Sequence, residues 1–206
     1  MTRIKICGIS NAQDAQLAVE LGADALGFIG VPSSPRYVPP ELYREIAAGL
    51  PPFVTPVVVV HRPEDARDYR PEYVQYYTDT GVESCFRGES PQRIRAFRVR
   101  DEASLQELAV YPHPVSAVLL DGYHPDKLGG AGETFQWGLA VQAKRLTDRP
   151  VMLAGGLTPE NVQAALEAVH PYGVDVASGV EARPGVKDPA KLRAFIRAVR
   201  EWDMRQ

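Results

Sequence analysis

With 206 residues, 45% hydrophobic and 24% charged, the chain can build one sizeable core and has the composition of a globular domain, although about 250 residues is typical of an eight-fold α/β barrel. A net charge of −3 gives no general basic field to recruit nucleic acid, and no apolar run approaches the roughly 20 residues a membrane span needs. The apolar segment at the start is too short for a secretory signal, so the expectation is a cytoplasmic chain in which Cys7 and Cys85 stay reduced; with no CxxC or Cys/His cluster, no metal is expected.

Arg3 to Cys7 alternates and predicts a strand. Ser10 with Gln13 three residues on is placed as a helix cap, and Ala15, Ala18, Val19 and Gly22 give that helix a small-residue face. Asp24 to Ile29 predicts a second strand. Pro39 and Pro40 open a helix with Leu42, Tyr43, Ile46 and Leu50 inward, and the β-branched run Val57 to Val60 reads as a strand buried on both faces. The stretch from His61 to Arg70 has room for one or two helical turns before Pro71 stops them. Further strands are expected at Glu72 to Tyr77, Ile94 to Val99, Ala117 to Leu120, from Val151, and at Gly173 to Ala177. Helices are expected over Asp101 to Leu108 and Trp137 to Leu146, on the face Val162, Ala165, Leu166 and Val169, and after Asp188 and Pro189 with a stripe of Leu192, Phe195, Ile196 and Val199. Eight strands alternating with helices or loops predict a single-domain (β/α)8 barrel over 1–206. The runner-up is an open doubly wound sheet, disfavoured because no Gly-x-Gly-x-x-Gly follows the first strand.

Two strand ends near the end of the chain carry small residues. One is Leu153-Ala154-Gly155-Gly156-Leu157, followed by Thr158 and Pro159 as a helix start. The other is Val176-Ala177-Ser178-Gly179-Val180. Glycines let backbone amides approach a ligand, and the last two strands of such a barrel are where phosphate is held. One such turn alone reads as no more than a tight turn; two in succession read as a phosphate site at Gly155, Gly156, Ser178 and Gly179. Chemistry in this fold sits where strands end. That rule selects Cys7, Ser34 to Arg36, His61 and Asp121. A thiolate at Cys7 and a carboxylic acid at Asp121, facing one ligand, make a base and acid pair. Lys5 or a helix start near Cys7 can favour the thiolate, though Lys5 can equally pair with Asp175 inside the barrel. Taken singly, Cys7 reads as a buried apolar residue, Asp121 as a turn residue and Arg36 as a loop residue. His61 and His124 are spare acid–base candidates. The arginines from Arg87 to Arg100 read as a solvated face.

Several segments together resemble the phosphoribosylanthranilate isomerase family of tryptophan biosynthesis. They are Lys5-Ile6-Cys7-Gly8-Ile9-Ser10, Gly22 to Phe28, Ser34-Pro35-Arg36-Tyr37-Val38, Leu119-Leu120-Asp121, Leu153 to Leu157 with Pro159 and Asn161, and Val176 to Glu181 with Pro184 to Asp188. The resemblance implies a cofactor-free Amadori rearrangement of N-(5-phosphoribosyl)anthranilate. Asp121 would be the general acid on the ring oxygen, Cys7 the general base at the ribose C2 proton, and Arg36 the clamp on the anthranilate carboxylate. The family usually has Val-Gln-Leu-His-Gly where this chain has Val74-Gln75-Tyr76-Tyr77-Thr78. Arg95 aligns with a strand-five lysine, Gly30 stands where an aromatic is common, and Gln136 where an aspartate would cap a helix. Helices three and four look shortened. The alternatives are a phosphate-ligand sensor or docking subunit, a broader phosphorylated-aminoaldose isomerase, and, with Lys127 confined to a loop, a Schiff-base aldolase ranked low. A small phosphorylated substrate is the expected partner; protein partners are not specified.

Overall fold

The first strand, β1 (Arg3–Cys7), sends Ile4 and Ile6 outward into a helix-covered layer and Lys5 and Cys7 the other way, as the period of two requires. Seven more strands follow: β2 (Ala25–Ile29), β3 (Thr55–Val60), β4 (Tyr73–Tyr76), β5 (Gln92–Arg98), β6 (Ala117–Asp121), β7 (Val151–Ala154) and β8 (Gly173–Val176). Each pairs in parallel with the next, and β8 pairs with β1 with Lys5 opposite Asp175, so the sheet is closed and the open-sheet alternative is excluded. The computed structural model describes residues 1–78, 91–111, 114–122 and 137–206. Cys85, His113, His124, Lys127, Gln136 and the glycine-rich stretch 129–132 lie outside them.

Val57, Ile94, Ala96, Leu119, Met152 and Ala154 form the apolar filling of the barrel lumen. The larger core lies outside the strands, under α1 (Ala12–Leu21), α2 (Pro40–Ala48), α3 (Glu102–Ala109), α4 (Trp137–Ala143), α5 (Val162–Val169) and α6 (Pro189–Asp203). The expected stripe of α6 is buried with Trp202 added, and the Asp188 carboxylate accepts from the amides of Ala190 and Lys191. Between β3 and β4 only a 3-10 turn (Pro63–Tyr69) stands where helix three would be, as expected; the stretch where helix four was expected to be reduced lies mostly outside the described residues.

Two local expectations are corrected, and one element was not expected. Asn11, not Ser10, caps α1: its side chain accepts from the Asp14 amide, while the Ser10 hydroxyl donates to the Gly185 carbonyl at 2.5 Å. Gly22 is not on the packing face of α1; it ends the helix at φ +102°. A hairpin of β9 (Glu181–Arg183) and β10 (Val186–Lys187), unpredicted, follows β8.

At the amino-terminal end of the barrel Asp24 ties both chain ends together. It accepts from Arg3 Nη1 at 2.7 Å, the Ile4 amide at 2.9 Å and Arg200 Nη2 of α6 at 3.0 Å. Burial alone would raise its pKa, but the bonds from Arg3, Ile4 and Arg200 together hold it below the usual carboxylate range. Its contribution is therefore present above the unfolded value and lost as pH falls through the lower folded one. Asp24→Asn should cost about 1–3 kcal/mol at pH 7, and the gap between variant and parent in denaturant melts should close at the acid end of that window.

Candidate active site

Cys7 is the last residue of β1 and is buried. Gly27 of β2 makes room for it: a Cβ there would lie 2.7 Å from Cys7 Sγ and 3.0 Å from Lys5 Nζ. Lys5 is fully enclosed and pairs with Asp175 Oδ1 at 2.9 Å. Burial pushes the Cys7 thiol up; the Lys5 cation opposes it, the Asp175 charge adds to it, and Lys187 opposes it again, with the net shift upward. The expected thiolate promotion by Lys5 is thus present but outweighed. The helix expected to start near Cys7 is capped by Asn11, four residues on, and begins at Ala12.

Asp121 ends β6 and faces the same lumen. Burial, reinforced by the Asp175 charge, raises its pKa, while the Tyr77 hydroxyl at 3.3 Å from Oδ2, Arg98 and Lys5 pull the other way. The same burial thus helps Asp121 hold a proton and hinders Cys7 from losing one. Burial first, and then the charges of Asp121 and Cys7, raise the Tyr77 hydroxyl well above its ordinary value.

Arg36 projects from the loop after β2 and is already engaged. Its Nε donates to Glu181 Oε1 at 2.8 Å and its Nη2 to Oε2 at 2.6 Å. Glu181 is almost wholly buried and also accepts from Lys187 Nζ at 3.2 Å and the Gly185 amide at 3.3 Å. Lys187 in turn donates to the carbonyls of Cys7 at 2.5 Å and Ala177 at 3.3 Å. One edge of the guanidinium is therefore fixed from behind, and no described residue takes a proton from Nη1. Bonding to Glu181 leads the influences that hold Arg36 charged; on Lys187 burial dominates and lowers the pKa. Sequence reasoning assigned no role to Glu181 or Lys187, although both stand in segments that carry the family resemblance; their tie comes from the hairpin, whose local signal was the proline–glycine turn at Pro184-Gly185.

The two small-residue loops lie against one another. Gly155, at φ +89°, is so close to Gly122 that a Cβ would fall 2.4 Å from that residue's nitrogen; a Cβ on Gly179 would fall 1.9 Å from the Leu157 carbonyl oxygen. Among the described residues no acceptor takes the backbone N–H of Gly155, Gly156, Ser178 or Gly179. Four unspent amides side by side suit an anion. The helix after Gly156 starts later than expected: Thr158 accepts from the Glu160 amide in a preceding turn, and α5 begins at Val162.

The remaining candidates separate cleanly. His61 is exposed at the end of β3. Arg95 faces away from the lumen, ion-paired with Glu107 at 2.6 Å and 4.4 Å above the Phe97 ring. The space over Gly30 is filled by the Tyr69 ring, whose hydroxyl donates to the Val38 carbonyl at 2.6 Å. No group of three or more His, Cys, Asp or Glu side chains among the described residues could hold a metal ion. A surface hollow lined by Met1, His170, Tyr172 and Trp202 lies at the opposite end of the barrel from these groups.

A family model described as N-(5'phosphoribosyl)anthranilate (PRA) isomerase matches residues 4–198. The chain is 51% identical over 203 residues to N-(5'-phosphoribosyl)anthranilate isomerase of Geobacter metallireducens, covering 96% of this chain and 98% of the relative. It is 48% identical to the Geobacter sulfurreducens protein of the same name, covering 98% and 100%. Among solved structures it resembles phosphoribosyl anthranilate isomerase from Thermotoga maritima, with TM-score 0.85, 39% identity and coverage of 98% and 100%. It also resembles an isomerase of that name in complex with reduced 1-(o-carboxyphenylamino)-1-deoxyribulose 5-phosphate, with TM-score 0.81, 36% identity and coverage of 98% and 100%.

The electrostatics around Cys7 can be read directly. In a Cys85→Ser background, ultraviolet thiolate absorbance should rise only above the ordinary cysteine range. Lys187→Met should move that rise higher still, because it removes a cation that favours the thiolate.

Proposed function

The chain belongs to the N-(5'-phosphoribosyl)anthranilate isomerase family, and on that premise we propose that Asp121 and Cys7 are the acid and base of its aldose–ketose rearrangement. It is an isomerase of tryptophan biosynthesis acting on a phosphorylated small molecule. The observation that carries the residue assignment is the placement of a buried thiol and a half-buried carboxyl at the lumen-facing ends of β1 and β6, with the Tyr77 hydroxyl bonded to the carboxyl.

The steps follow from these two groups. Asp121 delivers its proton to the furanose ring oxygen as the C1–O bond breaks, leaving a protonated Schiff base. That cation acidifies the ribose C2 proton, which Cys7 removes to give an enolamine. Protonation at C1 and loss of the C2 hydroxyl proton give the amino-ketose, so the protons balance. The raised Asp121 keeps the acid form available; the raised Cys7 needs positive charge nearby, which Lys5 supplies before ring opening and the iminium supplies after it.

The same geometry supports a reading of how substrate binds. The unspent amides of Gly155, Gly156, Ser178 and Gly179 would hold the phosphate. Arg36, held along one edge by Glu181, would offer Nη1 and the remaining Nη2 proton to the anthranilate carboxylate. Cofactor-free chemistry is part of this reading, since the iminium itself supplies the electron sink.

Cys7→Ser and Asp121→Asn should each lower turnover by about 10²–10⁴-fold, measured as loss of fluorescence of freshly generated phosphoribosylanthranilate with product mass confirmed. Both variants folded and turning over at the parent rate would overturn the assignment and leave a phosphate-ligand binder. Separately, Arg36→Lys should raise the dissociation constant of a carboxylated product analogue by about tenfold, yet leave an analogue lacking the carboxylate nearly unaffected.

A further inference from the structure

Tyr77 follows β4 directly, and the period of two puts it on the lumen side with Tyr73 and Gln75. The family pattern usually carries histidine at this position. Here a phenol stands 3.3 Å from Asp121 Oδ2, with the Arg98 guanidinium 5.1 Å above its ring. Histidine can donate or accept and titrates near neutrality. A tyrosine in this place donates but does not titrate near neutrality: burial, reinforced by the charges of Asp121, Cys7 and Asp175, keeps its hydroxyl protonated against the opposing pull of Arg98.

We propose that Tyr77 is the positioning residue of the acid, its hydroxyl occupying Asp121 Oδ2 so that Oδ1 is the oxygen that carries the transferable proton. A carboxyl free to rotate would divide its proton between two oxygens and two orientations. A fixed donor on one of them settles both, and in the ionised state it keeps the carboxylate in the plane to which the proton must return. The titratable and charged groups that face Asp121 come from four strands or strand ends: Asp175 in β8, Tyr77 after β4, Arg98 in β5 and Lys5 in β1. Its register partner in β7 is Ala154, which is uncharged. Of these groups Tyr77 is the one bonded to the carboxylate. This inference rests on Asp121 being the general acid and adds how this chain aims it.

The sign of the effect is set by the direction of the bond. A hydroxyl donating to the ionised carboxylate stabilises that form, so its removal raises the Asp121 pKa. Tyr77→Phe keeps the ring under Arg98 and removes the donor alone. The midpoint of the Asp121 carboxyl carbon, followed by NMR in the folded protein, should rise by about half to one pH unit, and the inflection that Asp121 sets in the pH profile of kcat/KM should move with it. At its optimum kcat should fall about 3–10-fold with KM within about twofold, because orientation rather than binding is lost. Tyr77→His should recover most of kcat while adding an inflection near neutrality. Unchanged Asp121 midpoint and kcat in Tyr77→Phe, with Asp121→Asn inactive, would overturn the role of Tyr77 alone. Asp121→Asn active at the parent rate would overturn the acid assignment beneath it. Should Tyr77→Phe fail to fold, Tyr77→His carries the test: no added inflection and no change in the Asp121 midpoint overturns the proposal.

Discussion

The buried pair of Lys5 and Asp175 sits at the seam where the last strand meets the first, 2.9 Å apart and nearly free of solvent. A pair so enclosed is weak evidence for stability, because desolvating two charges offsets much of their attraction. Its consequence is electrostatic. Burial is the main influence on both Cys7 and Asp121, and Lys5 and Asp175 then act on each with opposite signs. Closing the barrel and setting two proton affinities are thus one event: the seam cannot open without removing the charges that the chemistry uses.

Behind Cys7 the hairpin after β8 does a second job. Plain barrel topology would send the chain from β8 straight into α6. Here β9 and β10 intervene and bring Glu181 and Lys187 inward. Glu181 holds Arg36 by two bonds, and Lys187 holds both Glu181 and the Cys7 carbonyl. The arginine from the β2 loop and the cysteine from β1 are thereby located by one carboxylate near the other end of the chain. A long, flexible arginine loses side-chain entropy when fixed, and a prepaired guanidinium has lost much of it before ligand arrives.

Two departures from the usual family pattern, at Gly30 and Arg95, are met by neighbours. The ring absent at Gly30 is replaced from the 3-10 turn by Tyr69, whose carbon atoms would come within 3.2 Å of a Cβ there. Arg95 is carried on the outer face of β5 among Phe97, Tyr76 and Tyr111, where its cation meets three rings. Gln75, which matches that pattern, is buried in the lumen, and among the described residues its Oε1 has no hydrogen-bond partner.

Local pattern alone determined much of this protein. Alternation in Arg3 to Cys7, the β-branched run Val57 to Val60 and the apolar stripes of α5 and α6 each express a backbone period, so strand, helix and barrel follow without knowledge of neighbours. Strand ends mark the mouth of such a barrel, and that made Cys7, Arg36, Asp121 and the two glycine loops visible as candidates. Caps were less legible: Ser10 and Asn11 are both capping residues, and Gly185, 175 positions away, takes the Ser10 hydroxyl and leaves the helix to Asn11. The protonation of Cys7 and the partner of Arg36 were decided by the tertiary structure. Both depend on residues far along the chain, Asp175, Glu181 and Lys187, brought in by closure and by the hairpin. A charge in water is screened within a few residues of its own sequence, but inside a closed barrel it acts on whatever the fold sets beside it.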